Sequence, residues 1–205
     1  MVNITMDYDE QLADEAHLGG YGYNGDPATT YPNMWKFLTK DKKIKSIIEL
    51  GCARGQVLKI FNDLGCKVLG IEWCTKAIKE NLLPNRVRQY DFTKVKVIPQ
   101  KNYDLGIAIE FVEHVEDYYK ENYLSCFDAC RYVAITFAKP GQGGHHHVNC
   151  QPEEYWIDIF EKRGFTYDYE YTNILKDKAM TDRFEYCPTF DGNHFEHRGL
   201  FFRKK

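Results

Sequence analysis

Apolar and polar residues fall in blocks along the chain, and the period changes from block to block. Lys45–Leu50 is a short apolar run that ends at glycines, as a strand buried on both faces should. In the next block Val57, Ile60, Phe61 and Leu64 recur at helical intervals, which predicts a helix over Gln56–Leu64 with one inward side. Lys67–Ile71 reads as a second strand closed by Glu72, and Thr75–Leu83 as a helix capped by Thr75 and stopped by Pro84. Val87–Tyr90, Tyr103–Glu110 and Tyr132–Phe137 read as three further strands, with a helix over Asp117–Cys130 before the last. Pro152–Lys162 is a helix closed by Gly164, with Tyr155, Ile159 and Trp156 inward. The tail is read as two strands, Phe165–Leu175 and His197–Arg203, separated by an irregular stretch.

Strands alternating with helices require a parallel sheet covered on both faces. The expected fold is α/β: a doubly wound, seven-stranded, mostly parallel sheet with an antiparallel hairpin at one edge. Ahead of it, residues 1–30 are rich in Gly, Asp and Tyr, show no sustained period, and read as an irregular arm or lid. Pro32–Lys40 reads as a short helix with Trp35 and Leu38 on one face. No repeat, linker or composition break divides the chain, so a single domain over residues 1–205 is expected.

Composition narrows the function. Hydrophobic residues at 43% and charged residues at 28% describe a soluble globular chain, and no apolar run is long enough to cross a bilayer. A formal net charge of −3 with scattered Lys and Arg offers no stripe for a phosphate backbone, so neither a nucleic acid nor a membrane is an expected partner. Seven cysteines without CxxC pairs, together with a start lacking a signal peptide, imply reduced thiols and a cytoplasmic setting. Cys126 and Cys130, four apart, are read as one half-buried helix face. Six aromatic residues, Tyr21, Tyr23, Tyr31, Trp35, Tyr155 and Trp156, are open to two readings, a ligand-facing wall or core packing.

The strand ends carry the chemistry. The first delivers Glu49-Leu-Gly-Cys-Ala-Arg-Gly55, a carboxylate followed by a tight turn in which Gly51 and Gly55 admit close backbone approach. The second ends in Glu72, roughly twenty residues after Gly51, where an acid can accept both hydroxyls of a ribose. The glycine spacing is not GxGxxG, no Gly-Lys-Ser/Thr follows, and Glu49 would repel phosphates while suiting a cation.

These residues resemble the class I S-adenosylmethionine-dependent methyltransferases, a Rossmann-like family. Glu49–Gly55 is similar to its E-x-G-x-G-x-G turn, with Ala53 at the middle glycine, where glycine's positive φ is not expected to be available. Gly70-Ile-Glu72 resembles its ribose strand, Tyr90-Asp91-Phe92 its adenine contact, and Tyr103–Val115, with E-x-x-E-H at Glu110–His114, its fourth-strand signature. The resemblance covers about Lys45–Phe137 and implies S-adenosylmethionine as cofactor. It places Glu49, Gly51, Cys52, Ala53 and Gly55 around the turn by the methionine moiety. Glu72 falls on the ribose, Trp73, Asp91 and Phe92 by the adenine, and Glu110 near the sulfonium.

An alcohol acceptor must lose a proton, and His114, His146 and His147, with Glu113, are the candidate bases. His145–His147 lie in the glycine-rich loop after the fifth strand; consecutive imidazoles do not converge on one ion by spacing alone, so no metal is expected. Pro140–Trp156 resembles a loop and helix of bacterial and viral methyltransferases associated with glycan assembly. That implies a carbohydrate or other small polar acceptor and leaves room for the domain to belong to a larger multidomain enzyme. A sugar O-methyltransferase leads; an N-methyltransferase of a small molecule or protein and a non-catalytic cofactor-binding module are the alternatives.

Overall fold

The computed structural model describes residues 29–186 and 194–205. Seven strands form one sheet: β1 (Ser46–Leu50), β2 (Lys67–Glu72), β3 (Val87–Gln89), β4 (Tyr103–Ala108), β5 (Cys130–Ile135), β6 (Phe165–Tyr167) and β7 (Leu200–Lys204). Their spatial order is β3-β2-β1-β4-β5-β7-β6, parallel except for β7, which runs antiparallel to both its neighbours. The helices are α1 (Pro32–Lys42), α2 (Gln56–Asp63), α3 (Thr75–Lys79), α4 (Lys120–Phe127), α5 (Glu153–Lys162), α6 (Tyr169–Tyr186) and α7 (His194–Arg198). This is the Rossmann-like doubly wound sheet with an antiparallel edge that the alternating pattern predicts.

Successive side chains of the central strands feed two cores. Ile47, Leu105, Ala134 and Phe201 join Trp35, Phe61 and Phe195 on one face. Ile48, Val133 and Phe202 join Phe127, Trp156 and Phe160 on the other. Burying an aromatic or aliphatic side chain of this size stabilises by about 1.5–3 kcal/mol, and both layers are built from such residues. Tyr31, Trp35 and Trp156 are therefore core, and Tyr155 donates its hydroxyl hydrogen to Asp117; Tyr21 and Tyr23 lie outside the described residues. The expected arm over residues 1–30 lies almost wholly outside them too.

The tail differs from the sequence expectation. The strand expected over Phe165–Leu175 stops at Tyr167, and α6 occupies most of it. Asp168 turns the chain into that helix: its carboxylate accepts the Tyr171 N–H at 3.1 Å and its carbonyl the Thr172 N–H at 2.8 Å. The stretch between β6 and β7 is accordingly mostly helical where it is described, and His197 and Arg198 end α7 rather than opening the strand expected over His197–Arg203, which begins at Leu200. Asp182 on α6 accepts the free amides of Asn33 and Met34 at 3.0 and 2.8 Å, so one helix caps the start of another.

Smaller differences follow the same local logic. Thr75 does not cap α3, which runs only to Lys79; its hydroxyl accepts from Gln89 Nε2 instead. Cys130 opens β5 and Cys126 sits on α4, both fully buried, and the six described cysteines carry free thiols. Among the described residues no helix is long and apolar enough to cross a membrane.

Candidate functional site

Strand order reverses between β1 and β4, so the loops leaving their carboxyl ends diverge and open a crevice. The β1 loop is a tight turn. Gly51 and Gly55 have φ of +67° and +79°, and Ala53 between them adopts +43°. The positive φ that alanine was not expected to reach is present. Two bonds impose it: the Ala53 N–H donates to Glu72 Oε2 at 2.8 Å, and its carbonyl accepts from Asn81 Nδ2 at 2.9 Å. The glycines also leave room for protein, because a Cβ would meet Phe111 at 2.6 Å on Gly51 and Asn81 at 2.7 Å on Gly55.

Glu72 accepts three backbone N–H groups, from Ala53, Trp73 and Cys74, each at 2.8 Å. Burial raises its pKa despite those donors. Three of the carboxylate's roughly four lone-pair sites are thus taken, two on Oε1 and one on Oε2, which leaves Oε2 able to accept one further donor. Glu49 is 5% exposed, and its Oε2 has no hydrogen-bond partner. Burial, reinforced by Glu72, pushes its pKa well above the usual range. An orphaned carboxylate at a strand end is what a cationic ligand group would satisfy. Cys52 is buried against Gly70, and burial, Glu72 and Glu49 push its thiol well up, so it packs the turn.

After β3, Asp91 Oδ1 accepts the Thr93 N–H at 2.8 Å and the Thr93 hydroxyl at 2.6 Å, while Lys94 lies 3.0 Å from Oδ2. Burial alone would raise its pKa, but Thr93 and Lys94 outweigh it and hold it low. Phe92 is buried against Phe111 and Tyr123, with ring centroids 5.6 and 6.2 Å away, so its ring belongs to the core. Trp73 is half-buried, with Lys94 Nζ 5.2 Å from its ring centroid.

Beyond β4 the chain makes a second strained turn, with Glu110 at φ +50°. Its N–H donates to Thr136 Oγ1 and that hydroxyl donates back to Glu110 Oε1, both at 2.7 Å. Oε2 lies 3.0 Å from His194 Nδ1 and 3.3 Å from Arg198 Nη2. Burial would raise its pKa, but His194, Arg198 and Thr136 hold it at about 2. Arg198, itself buried, also donates to the Phe137 carbonyl at 3.1 Å.

A short 3-10 turn over Val112–His114 then brings a cluster together. One ligand-type atom each from Glu113, His114 and His147 lies within 4.8 Å of the others. The spacing of the three consecutive histidines does not show this set, because His147 meets residues of the previous loop and not its chain neighbours. The Glu113 carbonyl accepts the N–H groups of Val148 and Asn149 at 3.0 and 3.1 Å, which ties the two loops together. His114 Nδ1 faces the His146 carbonyl at 3.3 Å, and the His114 and His147 rings meet edge to face with centroids 5.1 Å apart. Burial and His147 hold the His114 pKa at about 4, and burial lowers that of His147. Burial and Glu110 push Glu113 well up. His146, at φ +49°, contributes its backbone to this contact, and His145 is exposed.

Asn81, Phe111, Thr136, His194 and Arg198 were not singled out from the sequence. Asn81 and Thr136 are isolated polar residues with no motif around them. The four-residue spacing of His194 and Arg198 on α7 was the one signal available.

Residues 31–131 match the family model described as a methyltransferase domain. No curated protein matches the chain by sequence. Among solved structures, magnesium protoporphyrin IX methyltransferase from Synechocystis PCC 6803 with bound SAM is 14% identical with a TM-score of 0.60, over 87% of this chain and 79% of that one. The plantazolicin methyltransferase in complex with SAH is 12% identical with a TM-score of 0.59, over 95% and 90%. The mitomycin 7-O-methyltransferase is 13% identical with a TM-score of 0.57, over 89% and 55%. At such identities the likeness is one of fold. The family match runs through β4 to the first residues of β5, and with the shared fold it identifies the chain as a class I S-adenosylmethionine-dependent methyltransferase.

Proposed function

We propose that the protein moves the methyl group of S-adenosylmethionine to a hydroxyl of a small polar acceptor, a carbohydrate first among them. The observation that carries this reading is the cluster of Glu113, His114 and His147 beyond β4, beside the loop that follows the crevice strand. It gathers a carboxylate and two imidazoles, groups able to promote loss of a proton, at the end of the crevice assigned to the acceptor, and a hydroxyl needs that help more than an amine does.

The residues of the crevice fit the cofactor. Glu49 has a buried, unpartnered oxygen for the amino acid ammonium, and Glu72 Oε2 keeps a lone-pair site for a ribose hydroxyl. The Gly51–Gly55 turn lines the approach, Trp73 and Asp91 are assigned to the adenine end, and Glu110 to the methyl end. Phe92 supports the adenine end from the core, packed against Phe111 and Tyr123. When bound, the cofactor supplies a methyl carbon already activated by positive sulfur. The protein's part is alignment, exclusion of water and removal of the acceptor's proton.

Labelled methyl transfer from S-adenosylmethionine to a panel of glycans, small amines and peptides tests the reading. Label is expected in the glycans as a base-stable, ether-linked methyl. Transfer to amines with none to glycans would overturn it in favour of an N-methyltransferase. Tight cofactor binding with no labelled acceptor would favour a non-catalytic module.

A further inference from the structure

Glu113 is fully buried, and neither of its carboxylate oxygens has a hydrogen-bond partner. A carboxylate left so is among the most costly arrangements a fold can hold, unless a cation or a proton meets it. Its surroundings distinguish the two. The neighbouring carboxylate, Glu110, is already engaged by His194, Arg198 and Thr136, and none of these groups hydrogen-bonds Glu113. What Glu113 does face is a pair of imidazoles, with one atom from each of the three side chains within 4.8 Å of the others.

The backbone holds this triad in place. The Glu113 carbonyl takes two N–H groups from the His147 loop, and Asn149, buried in that loop, directs Nδ2 at the Val112 carbonyl at 3.5 Å. Gly144 leaves the space that the His147 ring fills, since a Cβ there would overlap the imidazole. Loops from two strands are thus cross-braced so that a carboxylate and two imidazoles share one small volume.

We propose that Glu113, His114 and His147 form a binding site for one divalent first-row transition cation, such as Zn2+ or Mn2+, at the acceptor end of the crevice. Two imidazole nitrogens and one carboxylate oxygen suit these ions and disfavour Mg2+ and Ca2+, which prefer all-oxygen shells. One negative charge and three protein ligands leave coordination positions open, the pattern of a site that takes a further oxygen ligand. That ligand is the acceptor hydroxyl. Bound to the cation, it becomes more acidic and releases its proton to water, while the cation keeps its oxidation state. This assignment of the open position rests on the hydroxyl reading above; the existence of the cation site does not.

The test is metal binding by the full chain, stripped with dipicolinate and titrated calorimetrically with zinc chloride, manganese chloride or magnesium chloride, with metal content measured by mass spectrometry. One Zn2+ per chain is expected, Mn2+ at the same stoichiometry but weaker, and no heat from Mg2+ at equal concentration. Glu113→Gln and His147→Ala should each weaken Zn2+ binding by more than the roughly 10–100-fold that loss of an outer-shell partner brings. Both should bind S-adenosylhomocysteine as the parent does, which shows that they fold. His145→Ala should bind Zn2+ normally. Failure of the parent to bind any of these ions stoichiometrically would overturn the site. So would parental affinity in the double variant His114→Ala/His147→Ala. If Zn2+ binds as expected while no glycan is methylated, the hydroxyl reading fails and the site stands.

Discussion

Replacing Glu72 with alanine separates two roles that the structure loads onto one carboxylate. Its three N–H donors all lie at 2.8 Å, and a hydrogen bond to a charged acceptor is worth about 1.5–3 kcal/mol. Trp73 and Cys74 are half-buried, so water can replace the lost partner there at modest cost. Ala53 is different, because that bond crosses from the β1 turn to the end of β2 and helps hold a non-glycine residue at φ +43°. The expected loss of stability is about 2–4 kcal/mol, or a fall of roughly 5–15 °C in Tm for a domain of this size. Cofactor affinity should fall further than stability alone explains. The turn must be re-ordered on binding, and a ribose hydroxyl loses its acceptor at about 1–3 kcal/mol. The lost acceptor alone predicts S-adenosylhomocysteine binding weaker by about 5–150-fold in a calorimetric titration, and the disordered turn adds to that. Glu72→Gln, which keeps one acceptor oxygen, should fall between parent and alanine in both measurements. A normal Tm and an affinity within threefold of the parent would refute the whole account of Glu72. A lowered Tm with normal affinity would keep the clamp and refute the ribose assignment.

Ala53→Gly should raise stability by up to about 1 kcal/mol in urea unfolding, because a left-handed alanine costs about 1–2 kcal/mol and glycine's extra chain entropy returns about 0.5–1; a lowered midpoint would show that the Cβ packs better than it strains. The Glu110 pKa of about 2 lies below its ordinary value of 4.5. Its contribution is therefore complete above pH 4.5 and drains away as the pH falls towards 2, on the order of 3 kcal/mol in all. Glu110→Gln should be less stable than the parent at pH 7 and approach it at pH 2–3 in parallel melts; a gap that stays constant with pH would mean that the ion pairs with His194 and Arg198 do not form.

Much of the fold was legible because the first five strands and their helices are locally consistent: apolar runs of strand length, then helical spacing, then a glycine or proline. The tail failed for a physical reason. Phe165-Thr-Tyr-Asp-Tyr-Glu-Tyr171 alternates aromatic and polar residues, the strongest strand signal a sequence can carry, yet Asp168 caps a helix inside it. The buried side of α6 includes Thr172 and Asp182, which bond to Phe201 N–H and to the first amides of α1, so its hydrophobic period is interrupted by polar residues with long-range partners. At the site, the strand-end carboxylates were readable because each lies within two residues of the end of its own strand. The Glu113, His114 and His147 cluster was not, since two segments more than thirty residues apart meet only once β4 and β5 lie side by side. Glu110 was placed correctly at a strand end, but its partners come from α7, beyond a segment with no periodic signal.

The position of β7 also shapes how the sheet can assemble. It lies between β5 and β6, and among the described strands β6 pairs with nothing else. As the chain leaves the ribosome, β6 therefore emerges without a neighbour, and the apolar rim of β5, with Val133, Ala134 and Ile135, stays unpaired until the thirty-odd residues spanning α6 and α7 have followed. During that interval the nascent molecule carries an open sheet edge, the feature most prone to capture by another chain. Pairing with Leu200–Lys204 is what closes the β5 edge and gives β6 its neighbour, so the sheet is incomplete without that strand.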